Sequence, residues 1–309
     1  MLMRKVPLPL LILFFFYNPL LAQKTAEYYF NKGIENNKEK NYSEAINNFT
    51  KVLKLDSNYI NAYNNRAIAY KNKNEFQLAI KDYKKALKLN AKFVKANYNL
   101  AIVYEKTNEK IEAINQYSKT IELDSLFTKA YINRANLYVE FNLLQKAAND
   151  YKKALLLEKK NKNIILSAHL NLGHLYHKQS KFNLALSQYN KAIQTDGLFT
   201  KAYFNRAITY KAINKSKLAI LDYSKVISLD LNYIMAYYNR ANLYDELKQY
   251  PLAIIDYNMV IKLNKEFAQA YNNRAMAKNR LRIPFCRDLK LACKKGSALG
   301  CKNHDLFCQ

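Results

Sequence analysis

The sequence of 309 residues contains no tryptophan, five glycines and five prolines, where average usage would supply roughly four times the glycine and about three times the proline. None of the glycines forms a Gly-x-Gly-x-x-Gly or Gly-x-x-x-x-Gly-Lys cluster, which excludes dinucleotide-binding and phosphate-loop folds. Pro7, Pro9 and Pro19 lie in the first twenty residues, so only Pro251 and Pro284 interrupt the rest, and long helical stretches are permitted. Cysteine is absent before residue 286. Acidic residues are also scarce: 24 Asp and Glu face 50 Lys and Arg, a formal charge of +26. A field of that sign draws anionic partners such as nucleic acid, lipid headgroups or acidic proteins. A nucleotide-composition skew gives the same bias without selection for binding, because 38 asparagines accompany abundant Lys, Ile and Tyr. The lysines are spread along the chain rather than gathered in one basic run.

Arg4 and Lys5 precede an apolar run from Val6 to about Tyr17, and Ala22 stands before a polar Gln23. This pattern predicts a secretory signal peptide over residues 1–22, and so an exported protein that is periplasmic, envelope-associated or secreted. The alternative is an uncleaved anchor, but the 17 residues from Val6 to Ala22 are at the short limit for a membrane span. Removing Arg4 and Lys5 leaves a formal charge of 48 − 24 = +24.

What the remaining chain has is a repeat of 34 residues. Tyr59–Ala67 reads YINAYNNRA, and the pattern returns as FTKAYINRA at Phe127–Ala135, FTKAYFNRA at Phe199–Ala207, YIMAYYNRA at Tyr233–Ala241 and FAQAYNNRA at Phe267–Ala275. With Ala26 as repeat position 1, repeats begin at 26, 60, 94, 128, 166, 200, 234 and 268, with four residues inserted before Leu166. Position 8 is small throughout (for example Gly33, Ala67 and Gly173), and position 20 is Ala in the first seven repeats. Aromatics recur at position 11 (Tyr70, Tyr104, Tyr138) and position 24 (Phe49, Tyr83, Tyr117). This small-and-aromatic pattern at a period of 34 resembles the tetratricopeptide repeat over about 260 residues. The resemblance implies an all-α fold, a right-handed α-solenoid of about eight helix-turn-helix repeats with a concave groove. The expected organisation is repeats one to four over 26–161, an inserted loop at 162–165, repeats five to eight over 166–282 and a Cys-rich helical cap over 283–309.

Arg at position 7 coincides with Asp at position 23 in repeats two, four, six and seven: Arg66 with Asp82, Arg134 with Asp150, Arg206 with Asp222 and Arg240 with Asp256. Repeats three and five carry neither, having Leu100 with Gln116 and Leu172 with Gln188. Two helices folded about a turn near position 15 bring 7 and 23 opposite one another, which predicts an ion pair within each repeat. Deleting two turn residues aligns Asp288 with Arg274 in the last repeat.

In the family, positions 2, 5, 6, 9, 12 and 13 face the groove. Position 6 is Asn in all eight repeats: Asn31, Asn65, Asn99, Asn133, Asn171, Asn205, Asn239 and Asn273. A carboxamide offers donors and an acceptor, so one per repeat can hold the backbone of an extended peptide. The series resembles the asparagine ladder in the tetratricopeptide domain of O-linked N-acetylglucosamine transferase, although nothing catalytic carries over. Interhelix packing or compositional bias would also place Asn there. Groove amides of this kind are expected to have no packing duty. Lys95, Lys129 and Lys201 at position 2 favour an acidic ligand, and Ile68, Ile102 and Ile208 at position 9 accept apolar side chains. His174 and His177 share a helical face, but no third metal ligand is evident and groove lining is the simpler reading.

All four cysteines follow the repeats. Gly296 is expected to end one helix and Ser297 to cap the next. Pairing Cys286 with Cys293, or Cys301 with Cys308, is excluded within helices, since seven residues rise about 10.5 Å and bridged Cα atoms lie within roughly 7 Å. Nested pairing, Cys286–Cys308 and Cys293–Cys301, places both bridges symmetrically about Ser297 in one antiparallel register; crossed pairing does not. Free thiols are the alternative, and a four-thiolate zinc site is disfavoured because the two pairs stand about 10 Å apart.

The expected function is therefore a non-catalytic scaffold binding an extended, acidic-leaning segment of a protein partner, without a cofactor. No nucleophile-base-orienter set appears outside positions that the repeat explains. A polyanion binder at the envelope, recognising anionic lipid, polysaccharide or nucleic acid through Lys84, Lys85, Lys88, Lys152 and Lys153, is the alternative; nucleic acid is the less favoured ligand and a membrane surface stays open.

Overall fold

The computed structural model describes residues 25–308, and the expected signal peptide lies outside them. Among the described residues there are seventeen helices and no strand. Seven repeats are helix pairs: α1 (Ala26–Lys38) with α2 (Tyr42–Leu55), α3 (Ile60–Asn72) with α4 (Phe76–Leu89), α5 (Val94–Lys106) with α6 (Lys110–Leu123), α7 (Thr128–Glu140) with α8 (Leu144–Leu157), α9 (Lys162–Lys178) with α10 (Phe182–Thr195), α11 (Thr200–Ala212) with α12 (Ser216–Leu229), and α13 (Ile234–Glu246) with α14 (Tyr250–Leu263). The eighth repeat is α15 (Ala268–Arg280) with the shortened α16 (Cys286–Lys294), and α17 (Ala298–Phe307) follows. The fold is an all-α repeat solenoid. The chain divides into two compact units within α6, residues 25–116 and residues 117–308. Within the units α1, α3, α7, α9, α11, α13 and α15 each pack against their own second helix, and first helices of successive repeats also touch, as α1 does α3 and α7 does α9.

Each hairpin turns at position 15, where Lys40, Asn74, Asn108, Asn142, Ser180, Asn214, Lys248 and Arg282 all have φ between 56° and 65°. Asn tolerates this left-handed geometry better than other side chains and fills it four times. The turn satisfies the carbonyls at the end of the first helix: in the second repeat Glu75 N donates to Tyr70 O at 2.9 Å and Asn74 N to Lys71 O at 3.0 Å. Between repeats the carboxylate or carboxamide at position 31 accepts from the backbone two residues on, as Asp56 does from Asn58 at 2.8 Å and Asp230 from Asn232 at 2.9 Å. Residues 162–165 depart from the expected loop. They form the first turn of α9, whose N-terminus is capped by Asn161 Oδ1 accepting from Ile164 N at 3.3 Å, so the insertion lengthens a helix.

The core is the predicted alternation of small and large. Ala67, Ala79, Ala135, Ala147, Ala207 and Ala219 are fully buried, and beside them lie Phe49, Tyr83, Tyr151, Tyr189, Tyr223 and Tyr257. At Gly173 a Cβ would stand 2.6 Å from the Tyr189 ring, so that repeat requires glycine where others hold alanine.

The terminal hairpin closes as the symmetric register requires. Gly296 has φ 88°, Ser297 Oγ accepts from Gly300 N at 3.0 Å, and disulfides join Cys286 to Cys308 and Cys293 to Cys301. The cap also continues the repeat. Counting Ala298 as position 1 puts buried Gly300 where Ala recurs at position 3 and Asn303 at position 6, and Asn303 Nδ2 donates to Asn272 Oδ1 at 2.8 Å. Helix α17 therefore stands as the first helix of a ninth repeat and packs on α15.

Candidate functional site

The arginines belong to the scaffold. Arg66 grips Asp82 with Nε at 2.7 Å and Nη2 at 2.8 Å, and the same two-pronged contact joins Arg134 to Asp150, Arg206 to Asp222, Arg240 to Asp256 and Arg274 to Asp288. The remaining nitrogen crosses to position 25 of the preceding repeat: Arg66 Nη1 donates to Thr50 at 2.9 Å, Arg134 to Ser118 at 2.9 Å, Arg206 to Asn190 at 2.7 Å, Arg240 to Ser224 at 2.8 Å and Arg274 to Asn258 at 2.6 Å. Tyrosines at positions 4 and 11 sandwich the guanidinium of Arg66, Arg134, Arg206 and Arg240, with Arg206 lying 5.3 Å from the Tyr203 ring and 5.8 Å from that of Tyr210. Each arginine is thus a staple between repeats as well as a pair within one, and only the hydroxyl and amide residues at position 25 hint at this in the sequence.

The position-6 asparagines lie on the first helices and divide into two sorts. Asn65 Nδ2 donates to Asn61 O at 2.8 Å and Asn205 Nδ2 to Lys201 O at 2.8 Å, bonds confined to their own helices. Asn133 Nδ2 donates instead to the Tyr117 hydroxyl at 3.1 Å. Asn171 donates to Asn136 Oδ1 at 3.0 Å, and that oxygen also accepts from the Tyr151 hydroxyl at 2.6 Å. The arrangement recurs where Asn273 donates to Asn242 Oδ1 at 3.1 Å and the Tyr257 hydroxyl donates to the same oxygen at 2.7 Å. Asn239 lies beside the Tyr223 hydroxyl, Asn99 Nδ2 reaches Asn64 Oδ1 at 3.5 Å, and Asn31 is exposed on α1. These contacts correct the expectation of amides without packing duty. Burial pushes the phenols of Tyr151, Tyr223 and Tyr257 well above their ordinary value, and a buried hydroxyl needs a partner; for Tyr151 and Tyr257 it is the position-9 asparagine of their own repeat, whose oxygen also takes the position-6 amide of the next. Among the described residues, Oδ1 of Asn65, Asn171 and Asn205 has no protein donor.

Lys95, Lys129 and Lys201 are exposed, with no carboxylate within 4 Å among the described residues. In the first unit Lys71 stands at repeat position 12, near Lys106. It is half-buried with no carboxylate within 4 Å among the described residues, and burial together with nearby Lys106 holds its pKa below the usual lysine value. His177 Nδ1 lies 2.9 Å from Thr209 Oγ1, its ring edge-on to Phe182. His174 is exposed and shares a small cavity of about 180 Å³ with Asn136, Tyr151 and Asn171. No helix among the described residues is long and apolar enough to cross a membrane.

Family models described as tetratricopeptide repeat match residues 60–93 and 234–267 and residues 94–125, 128–161, 166–197 and 200–233, and one described as TPR repeat matches 37–74. No curated protein matches the sequence. Among solved structures, the C-terminal part of a TPR repeat-containing protein from Cytophaga hutchinsonii is similar at 20% identity and a TM-score of 0.67, over 79% of this chain and 98% of that one. A tetratricopeptide repeat protein from Parabacteroides merdae is similar at 18% identity and a TM-score of 0.59, over 82% and 99%. YrrB, described as a TPR protein with an unusual peptide-binding site, is similar at 23% identity and a TM-score of 0.50, over 62% and 96%.

Proposed function

The chain belongs to the tetratricopeptide repeat family, and from that premise we propose that it is an exported, non-catalytic scaffold that holds an extended segment of a protein partner on its first-helix face. The observation that carries this reading is the unbroken series of asparagines at position 6, several with a carbonyl oxygen that no protein donor occupies. An extended peptide presents backbone N–H groups, and each such bond contributes about 0.5 to 1.5 kcal/mol net, so several together offset the cost of ordering a chain. Lys95, Lys129, Lys201 and the half-buried Lys71 favour a segment with acidic side chains. The peptide-binding site of YrrB supports the same class of ligand. Two disulfides agree with an oxidising compartment.

Asn65 and Asn205 separate binding from stability, because their side-chain amides donate only within their own helices. Linear peptides selected from a random library on the whole chain should lose affinity by about tenfold for Asn205→Ala or Asn65→Ala, a loss matching one hydrogen bond, with melting temperature nearly unchanged. Affinity untouched by both substitutions, or binding that collapses with moderate salt, would transfer the function to the lysines and the polyanion alternative.

A further inference from the structure

Repeat position 22 lies on the outward side of each second helix, and most repeats keep it polar: Asn47, Lys81, Asn115, Asn149, Ser187 and Arg287. Helices α12 and α14 break the rule. Leu221 is 65% exposed and Ile255 57% exposed, and one turn earlier stand Leu218 at 40% and Leu252 at 44%. The same two helices bury Ala219, Tyr223, Val226, Ala253, Tyr257 and Val260 in one shared core, so each is apolar on two sides. A helix apolar all round is ordinarily covered on both, and a cluster of exposed aliphatics in neighbouring repeats marks a contact surface.

The rim identifies what covers it. Lys217 and Lys225 on α12, Lys215 at its start, Lys248 before α14 and Lys262 near its end are all exposed, with no carboxylate within 4 Å among the described residues. The only carboxylates on the two helices, Asp222 and Asp256, are buried under Arg206 and Arg240. The surface is therefore leucine and isoleucine bordered by unpaired cations. It lacks the exposed aromatic anchors that dominate protein interfaces, and a second copy would bring lysine against lysine. Aliphatic side chains with a lysine border match the acyl boundary and charged headgroups of an anionic bilayer.

We propose that the outward face of α12 and α14 docks on an anionic lipid surface, inserting Leu218, Leu221, Leu252 and Ile255 among the headgroups. The site lies on second helices and is independent of the peptide reading for the first helices. The test is co-sedimentation with phosphatidylcholine vesicles, with and without phosphatidylglycerol. It compares the whole chain with its Leu221→Asn, Ile255→Asn variant, both carrying the same N-terminus. Asn is what three other repeats hold at this position, and both side chains are more than half exposed, so the variant should melt as the parent does. The parent should bind the anionic vesicles and leave the neutral ones, and the variant should lose about tenfold in affinity through the two missing aliphatic contacts. No binding by the parent overturns the proposal, as does undiminished binding by the variant, which would mean that lysines alone suffice. Concentration-dependent self-association in sedimentation velocity that the variant abolishes would assign the face to a second copy and overturn it equally.

Discussion

Arg206 joins three helices at once: it shares α11 with its aromatic neighbours, holds Asp222 on α12 and reaches Asn190 on α10. Both partners of the ion pair are largely buried, with 18% and 7% of their side chains exposed. Removing one side of such a pair strands the other charge, and Arg206→Leu should destabilise the chain by roughly 3 kcal/mol. Adding Asp222→Gln restores the Leu–Gln combination native to repeats three and five, and should recover much of that loss while leaving the Asn190 contact broken. A double-mutant cycle by urea unfolding measures the coupling; additive losses would remove the pair from the account. Asn171 and Asn273 make a different point at this scale. Their type and spacing are plain in the sequence, but the oxygens they donate to, Asn136 Oδ1 and Asn242 Oδ1, belong to the preceding repeat and are shared there with a tyrosine hydroxyl, and no single-repeat pattern contains that contact.

At the level of the helix pair, the turn at position 15 is the most repeated constraint in the molecule. All eight positions are left-handed, yet Lys40, Ser180, Lys248 and Arg282 are not residues suited to it. A left-handed conformation costs an ordinary L-residue roughly 1–2 kcal/mol, and Asn relieves part of this through its short polar side chain. Lys248→Asn should therefore raise stability by about 0.5 kcal/mol. The matched control, Asn214→Lys, should lower it by a similar amount, both read from chemical denaturation midpoints. The inserted residues before Leu166 illustrate the opposite case. Their polar, Lys- and Asn-rich character suggests a loop, but Asn161 caps the segment and Ile164, Ile165 and Leu166 share the packing of α9, so tertiary burial converts an insertion into an extra helical turn.

Over the whole molecule, stability in a solenoid passes between neighbouring repeats, and the C-terminal cap is where covalent bonds enter. The bridges tie both ends of the α16–α17 hairpin, and α17 covers α15. Closing loops of this length contributes about 2 to 4 kcal/mol. Reduction should accelerate amide hydrogen exchange in α16 and α17 first and then in α15, while α7 and α8 in the same unit retain protection. Equal acceleration in all helices of that unit would show that the cap is not a local clamp.

The sequence by itself determined the period, the helix pairs, the small-and-aromatic core, the ion pairs within repeats and the register of the terminal hairpin. Each of these depends on residues close along the chain or on spacing that helix geometry converts directly into faces. Tertiary structure decided what lies between repeats: the crossing contact of each arginine, the tyrosine hydroxyls that occupy the ladder amides, the half-buried Lys71 and the continuation of the ladder to Asn303. Those contacts join positions about one repeat apart, where the pattern reveals which residues recur but not which of their atoms meet. Burial settles that question, because a hydroxyl or guanidinium removed from water must take the nearest partner that the packing of two neighbouring repeats provides.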